Sequence, residues 1–165
     1  MHKSQGLCIR CGLCCKGAIF NRVDLRENEN AHSFERSGFD LLLDEKGYYF
    51  LQPCTLHREG RCIVYEAGCP SICRDFQCRL LRRCLRGRIE WDEAAGIAKK
   101  ANEMLSKIIE SSGDTERLQG FVGVVKYVNQ NFTSMSFRKN NAQLILEIMY
   151  LRKYIERHFW EKLPA

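Results

Sequence analysis

The sequence lacks the motifs of several common enzyme classes. No Walker loop, no dinucleotide-binding glycine pattern and no serine-hydrolase elbow occurs in its 165 residues. It also contains no internal repeat and no low-complexity segment. The sequence therefore gives no sign of the phosphate-loop, hydride-transfer or serine-hydrolase chemistry that those motifs carry.

Long apolar runs are missing as well. The longest, such as Leu144–Ile148, are short and interrupted by charge, so no membrane-spanning helix is expected. Residues 1–7 lead directly into Cys8 without the apolar stretch of a secretory signal. We therefore expect a cytoplasmic chain with no membrane partner, in which thiols stay reduced.

Charge of either sign is moderate. The chain has 26 Lys and Arg against 20 Asp and Glu, a formal charge of +6, which permits a nucleic-acid or acidic partner without requiring one. The segment after Cys78 predicts a short amphipathic helix that ends at Gly87. One face of that helix carries Arg79, Arg82, Arg83 and Arg86. We favour hydrogen bonds to cluster sulfurs for some of these arginines and solvent exposure for the rest over contact with a nucleic acid, an acidic protein or an anionic substrate.

Cysteine is the residue in excess, with ten in this short chain, all between positions 8 and 84. A disulfide framework would need an oxidising compartment, which the absent signal argues against. Burial as small hydrophobic residues suits an isolated cysteine but does not explain a patterned set. Metal ligation is the remaining explanation, and it depends on the spacing.

The first group of cysteines is Cys8-Ile-Arg-Cys11-Gly-Leu-Cys14-Cys15. A Cys-x-x-Cys pair presents two thiolates to one ion, and Gly12 removes side-chain bulk beside them. Because adjacent residues point in different directions, Cys14 and Cys15 are expected to serve different sites. The motif indicates two metal sites or one large cluster.

The second group of cysteines comes in three pieces. They are Pro53-Cys54-x-Leu56, Gly60-x-Cys62-x-Val64-Tyr65-Glu66 and Pro70-x-x-Cys73-Arg74-x-Phe76-x-Cys78. Together with the first group they resemble the YkgJ-like cysteine-cluster family, described as carrying a zinc- or iron-chelating domain. The resemblance covers residues 8–86 and leaves the helical remainder outside.

The resemblance implies a set of metal ligands. The eight matching cysteines are Cys8, Cys11, Cys14, Cys15, Cys54, Cys62, Cys73 and Cys78. Members of the family usually have arginine where this chain has Cys69, so Cys69 is a ninth candidate. Cys84 lies on the leucine face of the basic helix and is expected to be a buried free thiol. His57, in the turn between Cys54 and Cys62, could replace a sulfur ligand, but we favour a solvated histidine because enough sulfurs are already present.

The metal is open between two alternatives. Two four-cysteine zinc sites would use the eight matching cysteines with none left over. Alternatively, Cys8-x-x-Cys11-x-x-Cys14 repeats the first three ligands of the bacterial ferredoxin run, although Ala18 takes the place of the fourth. The flagellin lysine N-methylases, which carry a similar cysteine signature, are associated with a 4Fe-4S cluster. We favour an iron-sulfur cluster of the 4Fe-4S type over zinc.

The expected fold is α+β and mainly α. A cysteine-rich region, 1–91, should contain a short β-hairpin made of Gly47–Leu51 and Arg61–Tyr65. A helical bundle or arm, 92–165, should contain helices near 92–110, 116–129 and 140–159.

The expected function is that of a metal-binding protein whose cluster serves electron transfer, cluster delivery or support of a partner enzyme. A cluster-dependent modification or redox enzyme is one alternative. A zinc-stabilised module that binds a protein partner is the other. A protein partner is expected in the first and the last of these hypotheses.

Overall fold

In the computed structural model, residues 3–113 and 120–160 are described. The chain divides into two compact units, Met1–Gln77 and Cys78–Ala165. It is 56% helical with 10% strand, which confirms an α+β fold that is mainly α. The division precedes the basic helix, which the cysteine pattern had grouped with the first region.

The first unit combines short helices with two small antiparallel sheets. Its elements are α1 (Lys3–Cys11), β1 (Arg22–Asp24), α2 (Ala31–Arg36), β2 (Leu42–Asp44), β3 (Gly47–Leu51), β4 (His57–Arg58), β5 (Arg61–Cys62), α3 (Tyr65–Gly68) and α4 (Ser71–Asp75). One sheet has the order β1-β3-β2, and the other pairs β4 with β5. The strand Gly47–Leu51 is confirmed.

The predicted pairing of that strand is wrong. β3 pairs with β1 and β2, whereas β5 pairs with β4, and Tyr65 begins helix α3 instead of ending a strand. Only Glu45 and Lys46 separate β2 from β3. Closing so short a loop costs less chain entropy than closing the longer predicted connection.

The core of the first unit is a small aromatic cluster. Phe39, Phe50 and Leu56 are buried together, and the rings of Phe39 and Phe50 lie 5.0 Å apart. Two candidate ligands, Cys54 and Cys73, are partly buried against this cluster. These thiols therefore border on apolar surface, where an unpaired charge is unfavourable.

The second unit consists of helices. They are α5 (Arg79–Leu85), α6 (Trp91–Ser111), α7 (Gly120–Asn131), α8 (Met135–Asn140) and α9 (Ala142–His158). The predicted helices near 79–86, 92–110 and 140–159 are confirmed. Part of the predicted helix 116–129 lies at 116–119, outside the described residues. No helix in the described part of the chain is long and apolar enough to cross a membrane.

Helix α6 is the centre of this unit and packs against α5, α7 and α9. Its buried residues repeat at alternating spacings of four and three, as one face of a helix requires. They are Ala94, Ala98, Ala101, Leu105 and Ile108. The larger apolar residues Ile97, Met104 and Ile109 of the same helix are only partly buried. Three of the five buried residues of α6 are therefore alanines.

Candidate metal centre

The first cysteine motif is the end of a helix followed by a turn. α1 extends through Cys11, so Cys8 and Cys11 are three residues apart on one helical face. Gly12 then adopts a left-handed conformation with φ of 60°. Its N–H donates to the Cys8 carbonyl at 3.1 Å, and its carbonyl accepts from the Lys16 N–H at 2.9 Å. Helix geometry, and not a loop, thus pairs the first two thiols.

Backbone hydrogen bonds attach the second cysteine segment to the first. The Cys54 N–H donates to the Cys15 carbonyl at 2.8 Å. In the β4–β5 pair, His57 lies opposite Cys62. The backbone therefore brings Cys15, Cys54 and Cys62 into one neighbourhood although 47 sequence positions separate the first from the last.

Two polar contacts attach the segment that carries Cys69 and Cys73 to residues 26–29. The Ser71 N–H at the start of α4 donates to Glu29 Oε1 at 2.6 Å, and Asp75 pairs with Arg26 at 2.7 Å. Both ion-pair side chains are about half exposed, so the pair orients α4 more than it stabilises it. Cys69 is buried and Cys73 is partly buried.

Other thiols lie close enough to Cys15 to affect its charge. Burial, followed by repulsion from Cys54, Cys62, Cys11 and Cys8, raises the pKa of Cys15 to about 12. Such repulsion acts only over short distances inside a protein. Cys15 is therefore within electrostatic reach of four other thiols.

Cys73 has a similar environment. Burial raises its pKa strongly, followed by repulsion from Cys69, Cys15, Cys54 and Cys62. The two groups of neighbours overlap and define one set from three segments of the chain, which we call the thiol cluster. Its members are Cys8, Cys11, Cys15, Cys54, Cys62, Cys69 and Cys73.

Burial raises the pKa of five cluster thiols, Cys15, Cys54, Cys62, Cys69 and Cys73, so they favour the protonated form unless a cation compensates their charge. Burial, followed by repulsion from Cys62, raises the pKa of Cys69 to about 11, and its Sγ donates to the Tyr65 carbonyl at 3.7 Å. None of the ten cysteines, all within the described ranges, forms a disulfide. A bound metal would replace these protons, because the ligand form of cysteine is the thiolate.

The donor chemistry of the thiol cluster fits a thiophilic metal, since soft thiolates select zinc and iron-sulfur clusters. The positions of the donors fit less closely. Within residues 3–113 and 120–160, no three Cys, His, Asp or Glu side chains are arranged to hold an ion. The sulfurs of the thiol cluster are therefore near one another but are not preorganised around an ion in the described residues.

Comparisons with protein-family models, curated proteins and solved structures found no match. The assignment of the thiol cluster therefore depends on its own geometry and on the sequence pattern. The resemblance to the YkgJ-like family stays a prediction.

Three further cysteines are not members of the thiol cluster: Cys14 and Cys78, which were predicted ligands, and Cys84, which was predicted to be a buried free thiol. Cys14 is partly buried in the turn after α1. Cys78 belongs to the second unit, where its sulfur accepts from the Leu81 N–H at 3.5 Å and caps α5. Cys84 is 5% exposed on α5, which confirms its expected burial.

His57 is the residue whose environment the sequence did not reveal. Its Nε2 is buried and has no hydrogen-bond partner among the described residues, so the expectation of a solvated histidine is wrong for this nitrogen. The ring packs against Gly12. Burial lowers the pKa of His57, and the charge of Lys16 acts in the same direction, so the imidazole is neutral at pH 7. In the sequence, the only sign that His57 belongs with the thiols is its position three residues after Cys54, the same interval as in Cys-x-x-Cys.

We expect Gly12→Ala to destabilise the first unit more than Gly60→Ala does. Both glycines have left-handed backbones, with φ of 60° and 75°. Each alanine would therefore cost about 1–2 kcal/mol in backbone strain. A Cβ at Gly12 would also lie 2.9 Å from Cε1 of His57 and closer to Nε2, whereas a Cβ at Gly60 meets nothing within 4 Å. The overlap should add about 1–3 kcal/mol.

Hydrogen exchange of amides in the first unit would measure the difference on the full chain. Gly60→Ala is the matched control, since it changes the same residue type with the same backbone constraint. Equal losses of protection in the two variants would show that the ring of His57 does not rest on Gly12.

Proposed function

We propose that the first unit binds a metal centre through the thiol cluster. The observation that carries the proposal is that seven thiols from three segments, one buried and six partly buried, lie within electrostatic reach of Cys15 or Cys73 or are those residues themselves. Grouping that many thiols gives a soft donor set, and structural metal sites use such sets to hold loop-rich folds together. We place the protein in the cytoplasm, where reducing conditions keep thiols available.

The structure and the sequence pattern each support some of the proposed ligands. The thiol cluster supplies seven of them, and Cys14 and Cys78 complete the predicted set on the strength of the sequence pattern. We add His57, whose buried Nε2 lacks a hydrogen-bond partner in the described part of the chain. A neutral imidazole with one unsatisfied nitrogen is the form in which histidine binds metals.

Our first candidate for the metal centre is an iron-sulfur cluster of the 4Fe-4S type, serving electron transfer, cluster delivery or support of a partner enzyme. Such a cluster would supply one-electron redox chemistry when bound. The resemblance to the YkgJ-like family and to the flagellin lysine N-methylases supports this candidate. In this role the protein would work with a protein partner.

The environment of His57 favours a second candidate, a structural zinc site in a protein-interaction module. Structural zinc is commonly held by three cysteines and one histidine. His57 lies opposite Cys62 and its N–H donates to the Cys54 carbonyl at 3.0 Å, so these three donors come from the β4–β5 hairpin and the turn just before it.

Metal analysis of the anaerobically purified full chain would decide between the candidates. An iron-sulfur cluster predicts iron and acid-labile sulfide in comparable amounts, a brown colour that bleaches on reduction, and an electron paramagnetic signal from the reduced protein. A colourless protein with stoichiometric zinc would support the second candidate. A chain that is folded and contains neither metal would contradict the proposal as a whole.

A further inference from the structure

The second unit contains a cavity of about 770 Å³ with an unusual lining. Nine side chains surround it, and none of them belongs to the thiol cluster. They are Arg79, Arg82, Arg83, Arg86, Arg88, Lys153, Glu156, Arg157 and Trp160. We call this space the basic cavity.

Two helices build the basic cavity. One face of α5 supplies arginines at helical spacing, while its opposite face buries Leu80, Leu81 and Cys84. The end of α9 supplies the other wall. The Arg79 N–H donates to the Phe159 carbonyl at 2.9 Å, and Arg79 Nη1 donates to the Arg157 carbonyl at 3.4 Å. The start of α5 is therefore fixed to the end of α9.

The lining concentrates positive charge. It contains seven cationic side chains and one carboxylate, Glu156, which pairs with Lys153 at 3.0 Å. This local excess of six equals the formal charge of the whole chain. Cations gathered in a concave site focus their field and attract anions.

The positive charge around the cavity also affects the pKa of a neighbouring histidine, His158. Burial lowers the pKa of His158, and the positive charges of Arg157, Arg83, Arg79 and Lys100 lower it further. These four groups come from α5, α6 and α9, so the positive field acts on His158 from three helices. The ring of His158 also contacts that of Tyr154.

We propose that the basic cavity binds a nucleoside diphosphate or triphosphate. The planar fork of arginine matches phosphate oxygens in pairs, and the lining offers six such forks. Trp160 is 45% exposed and supplies an aromatic face in the same lining. Bases stack on such faces. This inference is independent of the metal centre.

The shape of the cavity favours a small ligand over nucleic acid. Small-molecule sites enclose about 300–1,000 Å³, a range that includes this cavity. Duplex DNA is read by elements that protrude into its grooves, and a concave pocket does not provide one.

Titration calorimetry of the full chain with ATP, GTP and inorganic tripolyphosphate would test the proposal. We expect the nucleotides to bind, and we expect Arg157→Glu to weaken their binding about tenfold or more. Arg152→Glu is the matched control, because Arg152 is an exposed arginine of the same helix outside the cavity lining. It should change binding less than about twofold, since the exposed charge is screened by salt. Absence of binding by both nucleotides at low salt, or equal effects of the two substitutions, would overturn the proposal.

A second substitution tests the aromatic contact. Trp160→Leu should weaken ATP binding and leave tripolyphosphate binding unchanged. Equal affinities for ATP and tripolyphosphate in the native chain, with no effect of this substitution, would contradict a nucleoside ligand. Tighter binding of a single-stranded oligonucleotide than of ATP, with steep salt dependence, would identify a nucleic-acid surface instead.

The ring of His158 provides an independent signal. A bound polyphosphate offsets the positive charge of Arg157, Arg79, Arg83 and Lys100, so the pKa of His158 should rise when ATP is added. Nuclear magnetic resonance of the histidine ring signals across a pH series would measure this shift. An unchanged His158 titration at saturating ATP would place the ligand elsewhere.

Discussion

Serine at Cys15 is expected to remove the metal from the first unit, whereas serine at Cys84 is expected to leave it in place. Cys15 is within electrostatic reach of four other thiols, and its carbonyl accepts from the Cys54 N–H. Cys84 lies in the second unit, buried on α5 beside Leu80 and Leu81. Loss of a residue that merely supports a ligand costs about 10–100-fold in metal affinity, so loss of a ligand should cost at least as much.

The two substitutions are chemically identical, which makes Cys84→Ser a strict control for Cys15→Ser. Metal per chain, measured after identical anaerobic purification, is the primary readout. Circular dichroism would show whether Cys15→Ser also unfolds the first unit, as expected where metal binding and folding are coupled. Full metal content in Cys15→Ser, or loss of metal in Cys84→Ser, would refute the division between ligands and the buried thiol.

Alanine at Leu105 is expected to destabilise the second unit by about 2–5 kcal/mol. Leu105 is 1% exposed on α6, the helix that packs against α5, α7 and α9. Removing its side chain would lose apolar contacts and leave a cavity that a well-packed seam can only partly fill. For a unit of this size the loss corresponds to a decrease in melting temperature of about 10 °C or more.

Tryptophan fluorescence can follow this transition selectively, because both tryptophans, Trp91 and Trp160, lie in the second unit. Leu146→Ala is the matched control on α9, since Leu146 is 59% exposed. It should change stability by no more than about 0.5 kcal/mol. Equal effects of the two substitutions would mean that α6 is not the centre of this core.

The helices of the second unit were predictable because their signal is local. Leu144, Ile148, Leu151 and Ile155 repeat at helical spacing, and all four are buried in α9. The arginine face of α5 followed from the same periodicity. Periodicity alone could not identify which residues of α6 are buried, since both the alanines and the larger apolar residues lie near one face. The packing of α5, α7 and α9 against α6 decided which of these residues are buried.

The cysteines show the same division between local and tertiary information. Spacing and residue type were enough to predict that the cysteines of residues 8–78 are the candidate ligands and that Cys84 is buried. Which thiols meet depends on tertiary contacts, since Cys15 reaches Cys54 and Cys62 through backbone contacts between distant segments. The tertiary structure alone buried the Nε2 of His57 against Gly12. It also formed the basic cavity, because Arg79 and Arg157 are 78 positions apart and meet only when α5 and α9 pack within one unit.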